Sequence, residues 1–150
     1  MELEKEIRQI NKFTSAYHKL SVNILYTASW LSAIHARQLK PFDLTPQQFN
    51  ILRILRGSHP NPMRLTDVSD RMIEKNSNCT RLVEKLRIKK LVNREINPSN
   101  RRQVHISITP SGLKVLSEID REYNQWLVML HGISEVEAKE LNRILDKLRG

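Results

Sequence analysis

The stretch Asn76–Thr109 has the sequence NSNCTRLVEKLRIKKLVNREINPSNRRQVHISIT. Up to about Lys90 its apolar residues recur at helical spacing, and beyond it two runs alternate apolar with polar residues around Asn97–Asn100. The stretch therefore predicts one amphipathic helix followed by a β-hairpin. From Arg81 to Arg102 it carries eight basic and two acidic residues, a local net charge of +6. A helix and hairpin this basic suit a polyanion with grooves, and DNA is the first candidate.

Basic charge is concentrated in the middle of the chain. The 150 residues contain 25 Lys and Arg against 16 Asp and Glu, a net charge of +9. Residues 41–109 hold 13 basic and 6 acidic residues (+7), whereas the two flanking segments together hold 12 and 10 (+2). The composition thus marks a central nucleic-acid-binding lobe between nearly neutral ends.

Several functional classes find no support in the residues. No stretch approaches the roughly 20 apolar residues that a membrane helix needs, and no secretory signal pattern is present. The single cysteine, Cys79, cannot form an intrachain disulfide, so we expect a cytoplasmic protein. The five histidines are scattered, and neither a Gly-rich phosphate loop nor a Ser/His/Asp arrangement occurs. We therefore expect no metal, no cofactor and no enzymatic activity.

The N-terminal third predicts helices. Residues 3–39 lack Gly and Pro and carry apolar residues at helical spacing, which indicates one long helix or two abutting ones, ended by Pro41. Thr45, Pro46 and Gln48 form the start signal of a second helix that should run to about Arg56.

The remaining elements follow from caps and breakers. A short helix is expected over about 67–72, then a turn at 73–75, and the pair Asn76/Ser77 is expected to cap the helix that continues to about Lys90. After the hairpin, Thr109-Pro110 predicts the start of a helix that Gly132 stops. Ser134 and Glu137 form a capping box for a last helix.

This order of elements predicts a mainly α fold with a small β-hairpin wing, a winged helix-turn-helix. We expect one domain over residues 1–150, with dimerisation helices at 1–40 and 110–150 and the DNA-binding lobe at 41–109. The apolar stripes at 3–34 and 113–148 exceed what the central lobe could cover, so a second copy of the chain is the expected partner.

Four segments together resemble the MarR family of bacterial transcription regulators. They are Leu44–Arg53 on the second helix, Thr80–Leu86 on the recognition helix, Leu91–Arg94 on the first wing strand and the wing and exit segment Asn100–Gly112. The resemblance spans about residues 20–148. It implies a ligand-responsive regulator, a repressor, that binds a pseudo-palindromic double-stranded DNA operator as a homodimer.

Two departures from the family pattern bear on the site. Asn100 stands where the family has Asp, so the ion pair that could orient the wing arginine becomes at most a hydrogen bond. Cys79 replaces a small aliphatic residue on the apolar face of the recognition helix, which predicts a buried, inert thiol rather than a redox sensor.

The candidate DNA-contacting side chains lie on the recognition helix and the wing. Ser, Asn and Arg side chains at the amino end of a helix can reach base edges in a major groove, and arginines at a hairpin tip fit an A·T-rich minor groove. The resemblance identifies Arg102 as the inserted wing residue. The set is Asn76, Ser77, Asn78, Thr80, Arg81, Lys85, Arg101 and Arg102.

An effector pocket is the further implication of the resemblance. Tyr26, Trp30, Ile34 and His35 are candidates to line it, between the dimer helices and the DNA-binding lobe, with a phenolic or other small amphipathic ligand. Aromatic residues at such spacing also serve as ordinary core.

Two other functions stay open at this point. One is a non-specific architectural nucleic-acid-binding protein, which would use charge and wing without sequence readout. The other is a winged-helix protein-interaction adaptor that does not bind duplex DNA.

Overall fold

The computed structural model describes residues 2–150, which form helices and one small antiparallel sheet. The helices are α1 (Leu3–Glu6), α2 (Ala16–Leu39), α3 (Pro46–Ser58), α4 (Leu65–Arg71), α5 (Cys79–Ile88), α6 (Pro110–Leu127) and α7 (Glu135–Arg149). The strands are β1 (Met63–Arg64), β2 (Val92–Asn97) and β3 (Asn100–Ile108). The predicted mainly α architecture with a β-hairpin wing is confirmed.

The N-terminal segment differs from the prediction. Only α1, a single turn, and α2 are helical between residues 3 and 39, and they are separated by residues 7–15. Arg8 has a positive φ of 53°, and Ser15 caps α2 by accepting a hydrogen bond from the His18 amide. A capping serine marks a helix boundary without glycine or proline, because its side chain satisfies a free amide of the following turn. The absence of Gly and Pro therefore does not indicate a continuous helix in this segment.

The predicted start of α3 is confirmed in detail. The Thr45 hydroxyl accepts from the Gln48 amide, the Gln48 side chain accepts from the Thr45 amide, and Pro46 occupies the first turn. The helix extends to Ser58, two residues beyond the predicted end. Its inward face, with Ile51, Leu52 and Leu55 almost fully buried, lies at the centre of the core.

The predicted hairpin of β2 and β3 is present, and strand β1 extends it to a three-stranded antiparallel sheet in the order β1-β3-β2. Met63 of β1 lies opposite Ile106 of β3, and Val92 of β2 lies opposite Ile108. All four side chains are buried against the helices. Strand β1 has only two residues, too few to show an alternating pattern, so only its pairing with β3 defines it.

A left-handed residue ends α5 and turns the chain into the wing. Lys90 has φ 61°, its amide donates to the Arg87 carbonyl, and the Leu91 amide donates to the Leu86 carbonyl. This hydrogen-bond pattern is a Schellman motif, and the buried pair Leu86 and Leu91 supplies its usual apolar contact. The direction of β2 is therefore fixed relative to α5.

The same corner holds the start of α6. The Thr109 amide donates to the Leu91 carbonyl, its hydroxyl donates to the Lys90 carbonyl, and the hydroxyl also accepts from the Gly112 amide. A Cβ added at Gly112 would lie 2.7 Å from Cγ1 of Ile108 and closer still to the carbonyl oxygen of Leu91. Glycine is therefore required here for close approach of the backbones.

The two C-terminal helices differ in what covers them. On α6 the apolar face is buried in the chain's own core through Leu116, Ile119 and Trp126, so the prediction that this stripe lacks a cover is wrong. Helix α7 has no buried residue, although Leu141, Ile144 and Leu148 follow helical spacing. The uncovered apolar surface therefore belongs to α7 and to parts of α2, not to α6.

Gly112→Ala is expected to destabilise the protein by about 1–3 kcal/mol, because the added methyl group overlaps a backbone carbonyl that cannot move without breaking the α5–β2 corner. Gly57→Ala is the matched control, since that glycine lies in α3 with nothing within 4 Å of the added Cβ. It should leave stability unchanged or raise it by up to about 1 kcal/mol. Urea unfolding of both variants measures the difference, and equal stabilities would contradict the close approach.

Candidate nucleic-acid interface

Helices α4 and α5 form a helix-turn-helix against α3. Val68 and Met72 are buried at the first helix, and Cys79, Val83 and Leu86 are buried on the inward face of the second. The predicted apolar face of α5 is thus confirmed, and its opposite face is left to solvent. The Cys79 thiol is buried, as expected for an inert cysteine.

Two side chains of α3 hold the turn between α4 and α5. The Asn50 Oδ1 accepts from the Ile73 amide at 2.9 Å, and the Gln47 Nε2 donates to both Glu74 carboxylate oxygens at 3.0 and 3.1 Å. Sequence reasoning missed these residues, because their partners lie 23 and 27 positions away and no local motif marks them. They fix where the recognition helix begins.

The recognition helix starts later than predicted. Its N-cap is Asn78, whose Oδ1 accepts from the Arg81 amide at 3.1 Å, and not the Asn76/Ser77 pair. Asn76 is exposed in the preceding turn, and the Ser77 hydroxyl is buried without a hydrogen-bond partner among residues 2–150. A cap three residues before Arg81 places that side chain in the first turn of α5, where recognition helices contact bases.

The outward face of α5 carries Thr80, Arg81 and Lys85, all of which are exposed. Asn78 lies at the same end, but its amide oxygen is occupied by the cap. That bond takes the acceptor that bidentate pairing with adenine requires, so Asn78 is the weaker base reader of this group. Thr80, Arg81 and Lys85 are free to reach outward.

Ion pairing divides the basic residues of the segment 81–102 into two groups. Arg87 is paired with Glu84 at 2.7 Å, and Lys89 with Asp43 at 3.0 Å. The other six have no carboxylate within 4.0 Å among residues 2–150: Arg81, Lys85, Lys90, Arg94, Arg101 and Arg102. Unpaired cations are the ones that can neutralise phosphates without first losing a partner.

The wing has an irregular tip. Asn97 pairs with Asn100, but the next pair is Ile96 with Val104, so residues 101–103 lie opposite no residue of β2. Arg101 and Arg102 therefore project from a bulge and not from a regular ladder, and both are exposed. Bulges in strand pairs redirect side chains, which here displaces two guanidinium groups from the sheet.

Asn100 makes a different hydrogen bond from the one expected. Its Oδ1 accepts from the backbone amide of Arg102 at 3.2 Å, and Asn97 similarly accepts from the Ser99 amide at 2.9 Å. The asparagine thus shapes the backbone of the tip and does not hold the guanidinium. An aspartate would offer the same acceptor, so the departure from the family pattern does not disturb this turn.

The four candidate pocket residues lie on α2 and do not form a common cavity. The Glu6 carboxylate beside the Tyr26 hydroxyl raises the pKa of that phenol, Trp30 is exposed, and burial lowers the pKa of the half-buried His35. None of the four, Ile34 included, lines either of two cavities of the described chain.

The cavity nearer to the recognition helix has a volume of about 490 Å³. It lies between the end of α2, the start of α3 and the end of α5. Its lining includes three lysines, of which Lys89 is paired with Asp43 while Lys40 and Lys85 have no carboxylate within 4.0 Å among residues 2–150. The cavity is therefore suited to an anionic molecule. The second cavity, of about 800 Å³, lies along residues 2–19.

No group of three or more His, Cys, Asp or Glu side chains in residues 2–150 is arranged to hold a metal ion. Among the helices so described, none combines the length and apolar character needed to span a bilayer.

Comparison with known proteins identifies the family. Residues 44–112 match the winged helix DNA-binding domain family. The repressor IacR of Pseudomonas putida is 28% identical over 127 residues, covering 78% of this chain and 74% of its own length.

Solved structures extend the similarity over nearly the whole chain. The MarR transcription factor of Planctomyces limnophilus is 30% identical with a TM-score of 0.70, covering 92% of this chain and 98% of its own. BpsR of Bordetella bronchiseptica, 22% identical, has the same fold with a TM-score of 0.78, covering 88% and 99%. The helix-turn-helix, the wing and this identity over almost the full length together show that the chain belongs to the MarR family of DNA-binding transcription regulators, which are not enzymes.

Proposed function

We propose that the protein is a homodimeric, sequence-specific and ligand-responsive repressor that acts in the cytoplasm on a pseudo-palindromic operator. The observation that carries the proposal is the position of the unpaired cations. Arg81 and Lys85 on α5, and Arg101 and Arg102 at the wing tip, extend from the elements that a winged helix places in the major and minor grooves.

The proposed roles differ among these residues. Arg81, in the first turn of α5, reads a base edge, with Thr80 beside it. Lys85, one turn later, contacts phosphate, because a flexible ammonium group fixes no base geometry. Asn76, Ser77 and Asn78 act mainly by shaping the turn and capping α5, since the polar groups of Ser77 and Asn78 are buried or used there. Arg102, supported by Arg101, enters the minor groove.

The uncovered apolar surface supports the dimer. On α7, Val136 is 77% exposed and Leu148 57% exposed, and on α2, Tyr17 is 84% exposed and Leu25 71% exposed. Exposed apolar side chains along both terminal helices are typical of a surface that a second copy covers. Because α6 is packed in the core of the DNA-binding lobe and residues 128–134 connect it to α7, a dimer formed here sets the distance between two recognition helices. Successive major grooves require that distance to be about 34 Å.

Repression and ligand response rest on relatives. IacR is named as a repressor, and the BpsR structure concerns regulation of its DNA binding by 6-hydroxynicotinic acid, a small aromatic acid. In this chain the 490 Å³ cavity beside Lys40 and Lys85 is a better site for an anionic aromatic effector than the exposed face around Trp30. A ligand there would occupy Lys85 and compete with phosphate for the same ammonium group.

Sedimentation equilibrium of the intact chain at micromolar concentration should give about twice the chain mass of 17.6 kDa. Leu141→Glu on α7 should shift the protein toward monomer, because it places a charge in the apolar surface that the second copy would cover. Lys139→Glu, which reverses a charge on α7 beside the apolar stripe, is the control and should remain dimeric. A monomeric unmodified protein would contradict the model of two half-sites.

Arg81→Ala and Lys85→Ala should weaken DNA binding in different ways. Loss of a base contact at Arg81 should cost about 1–3 kcal/mol on the operator and relax the preference at one position. Loss of a phosphate contact at Lys85 should weaken all sequences alike and reduce the salt slope by about one unit. Salt titrations on an operator selected from random duplexes, and on a scrambled duplex, measure both effects. Equal, sequence-independent losses would indicate the architectural alternative.

Arg102→Ala should lose most affinity on operators with A·T-rich flanks, because a narrow minor groove concentrates the negative potential that a guanidinium group senses. Arg101→Ala is the comparison within the same bulge and should lose less. Asn100→Asp keeps the acceptor for the Arg102 amide and should change affinity by less than about tenfold, since an exposed charge is well screened. Fluorescence anisotropy at fixed salt on A·T and G·C flanks measures all three. If Arg102→Ala binds both duplexes like the unmodified protein, the wing assignment is wrong.

A further inference from the structure

One acidic side chain lies on the DNA-facing side of the recognition helix. Glu84 follows Arg81 by three positions, and its two carboxylate oxygens accept hydrogen bonds from Arg87, from Nε at 3.0 Å and from Nη2 at 2.7 Å. The side chains of Glu84 and Arg87 are 43% and 50% exposed. The pair therefore lies in reach of any polyanion that contacts α5.

A second arginine approaches from the wing. Arg94 is exposed on β2, which leaves the end of α5 at the Schellman corner. The hydrogen bonds from Arg87, and less strongly the charge of Arg94, hold the pKa of the Glu84 carboxyl below its usual range. Glu84 therefore stays ionised at neutral pH, between an arginine of the helix and an arginine of the wing.

The location gives this carboxylate a particular effect on binding. A helix in the major groove and a wing in the minor groove straddle one sugar-phosphate backbone, so phosphates pass close to the junction of α5 and β2. Free guanidinium groups at that junction would attract every duplex equally, because phosphates carry no sequence information. A fixed carboxylate offsets that attraction, so that the base contacts determine which duplex is bound.

We propose that Glu84 is a specificity-determining residue, which holds Arg87 in an ion pair at the helix–wing junction and so limits binding to non-operator DNA. This proposal rests on the proposed function and adds to it a residue that governs discrimination between duplexes. Glu84 is a positioning residue in this scheme: it acts through the arginines and contacts no base.

An ordinary helix-stabilising role makes a different prediction. An ion pair three positions apart on an exposed helix stabilises that helix by about 0.2–0.5 kcal/mol and has no reason to alter sequence discrimination. Thermal unfolding monitored by circular dichroism reports that contribution separately. DNA binding by the same variants then decides between the two roles.

The test compares Glu84→Gln with Glu95→Gln. Glu95 is the other acidic residue of the basic segment, is exposed on β2, and makes no ion pair among residues 2–150. Both variants remove one negative charge, but only Glu84→Gln releases an arginine. Binding is measured on a scrambled duplex and on the operator that the unmodified protein selects from random sequences, at about 50 and about 200 mM salt.

Glu84→Gln should bind the scrambled duplex about threefold more tightly or better at the lower salt. Its affinity should also fall more steeply between the two salt concentrations, by a further factor of about 3.5 for each additional phosphate that the freed arginine neutralises. Operator affinity should rise less, so the specificity ratio falls. Glu95→Gln should show at most a small change in either quantity. The double variant Glu84→Gln/Arg87→Gln should return the salt slope to that of the unmodified protein.

Three results would overturn the proposal in distinguishable ways. If Glu84→Gln and Glu95→Gln behave alike, only net charge matters. If Glu84→Gln loses operator affinity and leaves the scrambled duplex unchanged, Glu84 reads a base. If the unmodified protein binds no duplex at all, the proposed function itself fails, and this inference fails with it.

Discussion

The backbone corner around Leu91 is the constraint on which the DNA-facing surface depends. The Leu91 amide ends α5, its carbonyl accepts from the Thr109 amide, and the same carbonyl leaves no room for a side chain at Gly112. The recognition helix, the wing and α6 thus meet at this corner, which fixes their relative orientations. Hydrogen bonds and close backbone packing at this corner therefore define the angle between helix and wing.

The positive charge available to DNA on this surface depends on ion pairing as well as on composition. The segment 81–102 carries eight basic residues, but two of them face carboxylates, and the remainder are divided between α5, its C-terminal corner and the wing. Paired guanidinium groups contribute little to counterion release, whereas unpaired ones supply sequence-independent affinity. Under the proposed function, the balance between affinity and discrimination would depend on Glu84 and Asp43, the two acidic residues that pair with cations of this segment.

Helix α6 connects the DNA-binding lobe to the C-terminal helix α7. Its apolar face lies in the core of the lobe, next to α3, where Arg56 is bonded to Asp120 at 2.6 Å and Arg53 lies over the rings of Phe49 and Tyr123. The helix then leads to α7, which has no side chain buried within the described chain. In the proposed dimer, a change in how the two copies meet would be transmitted to the lobes through this helix, because it is packed firmly at its lobe end.

The sequence by itself determined the elements whose signals are local. Capping boxes at Thr45 and Ser134, the Thr109-Pro110 start, the turn at 97–100 and the apolar face of α5 all appear as predicted, because their hydrogen bonds and spacings join residues no more than a few positions apart. The family resemblance added the winged helix and its candidate DNA-reading arginines as expectations. Tertiary structure decided the rest: the true cap of α5, strand β1, the bulge at 101–103 and the burial of α6. Several of these depend on partners 20 or more residues away, such as Asn50 for Ile73 and Ile106 for Met63, and such contacts leave no periodic signal in the chain.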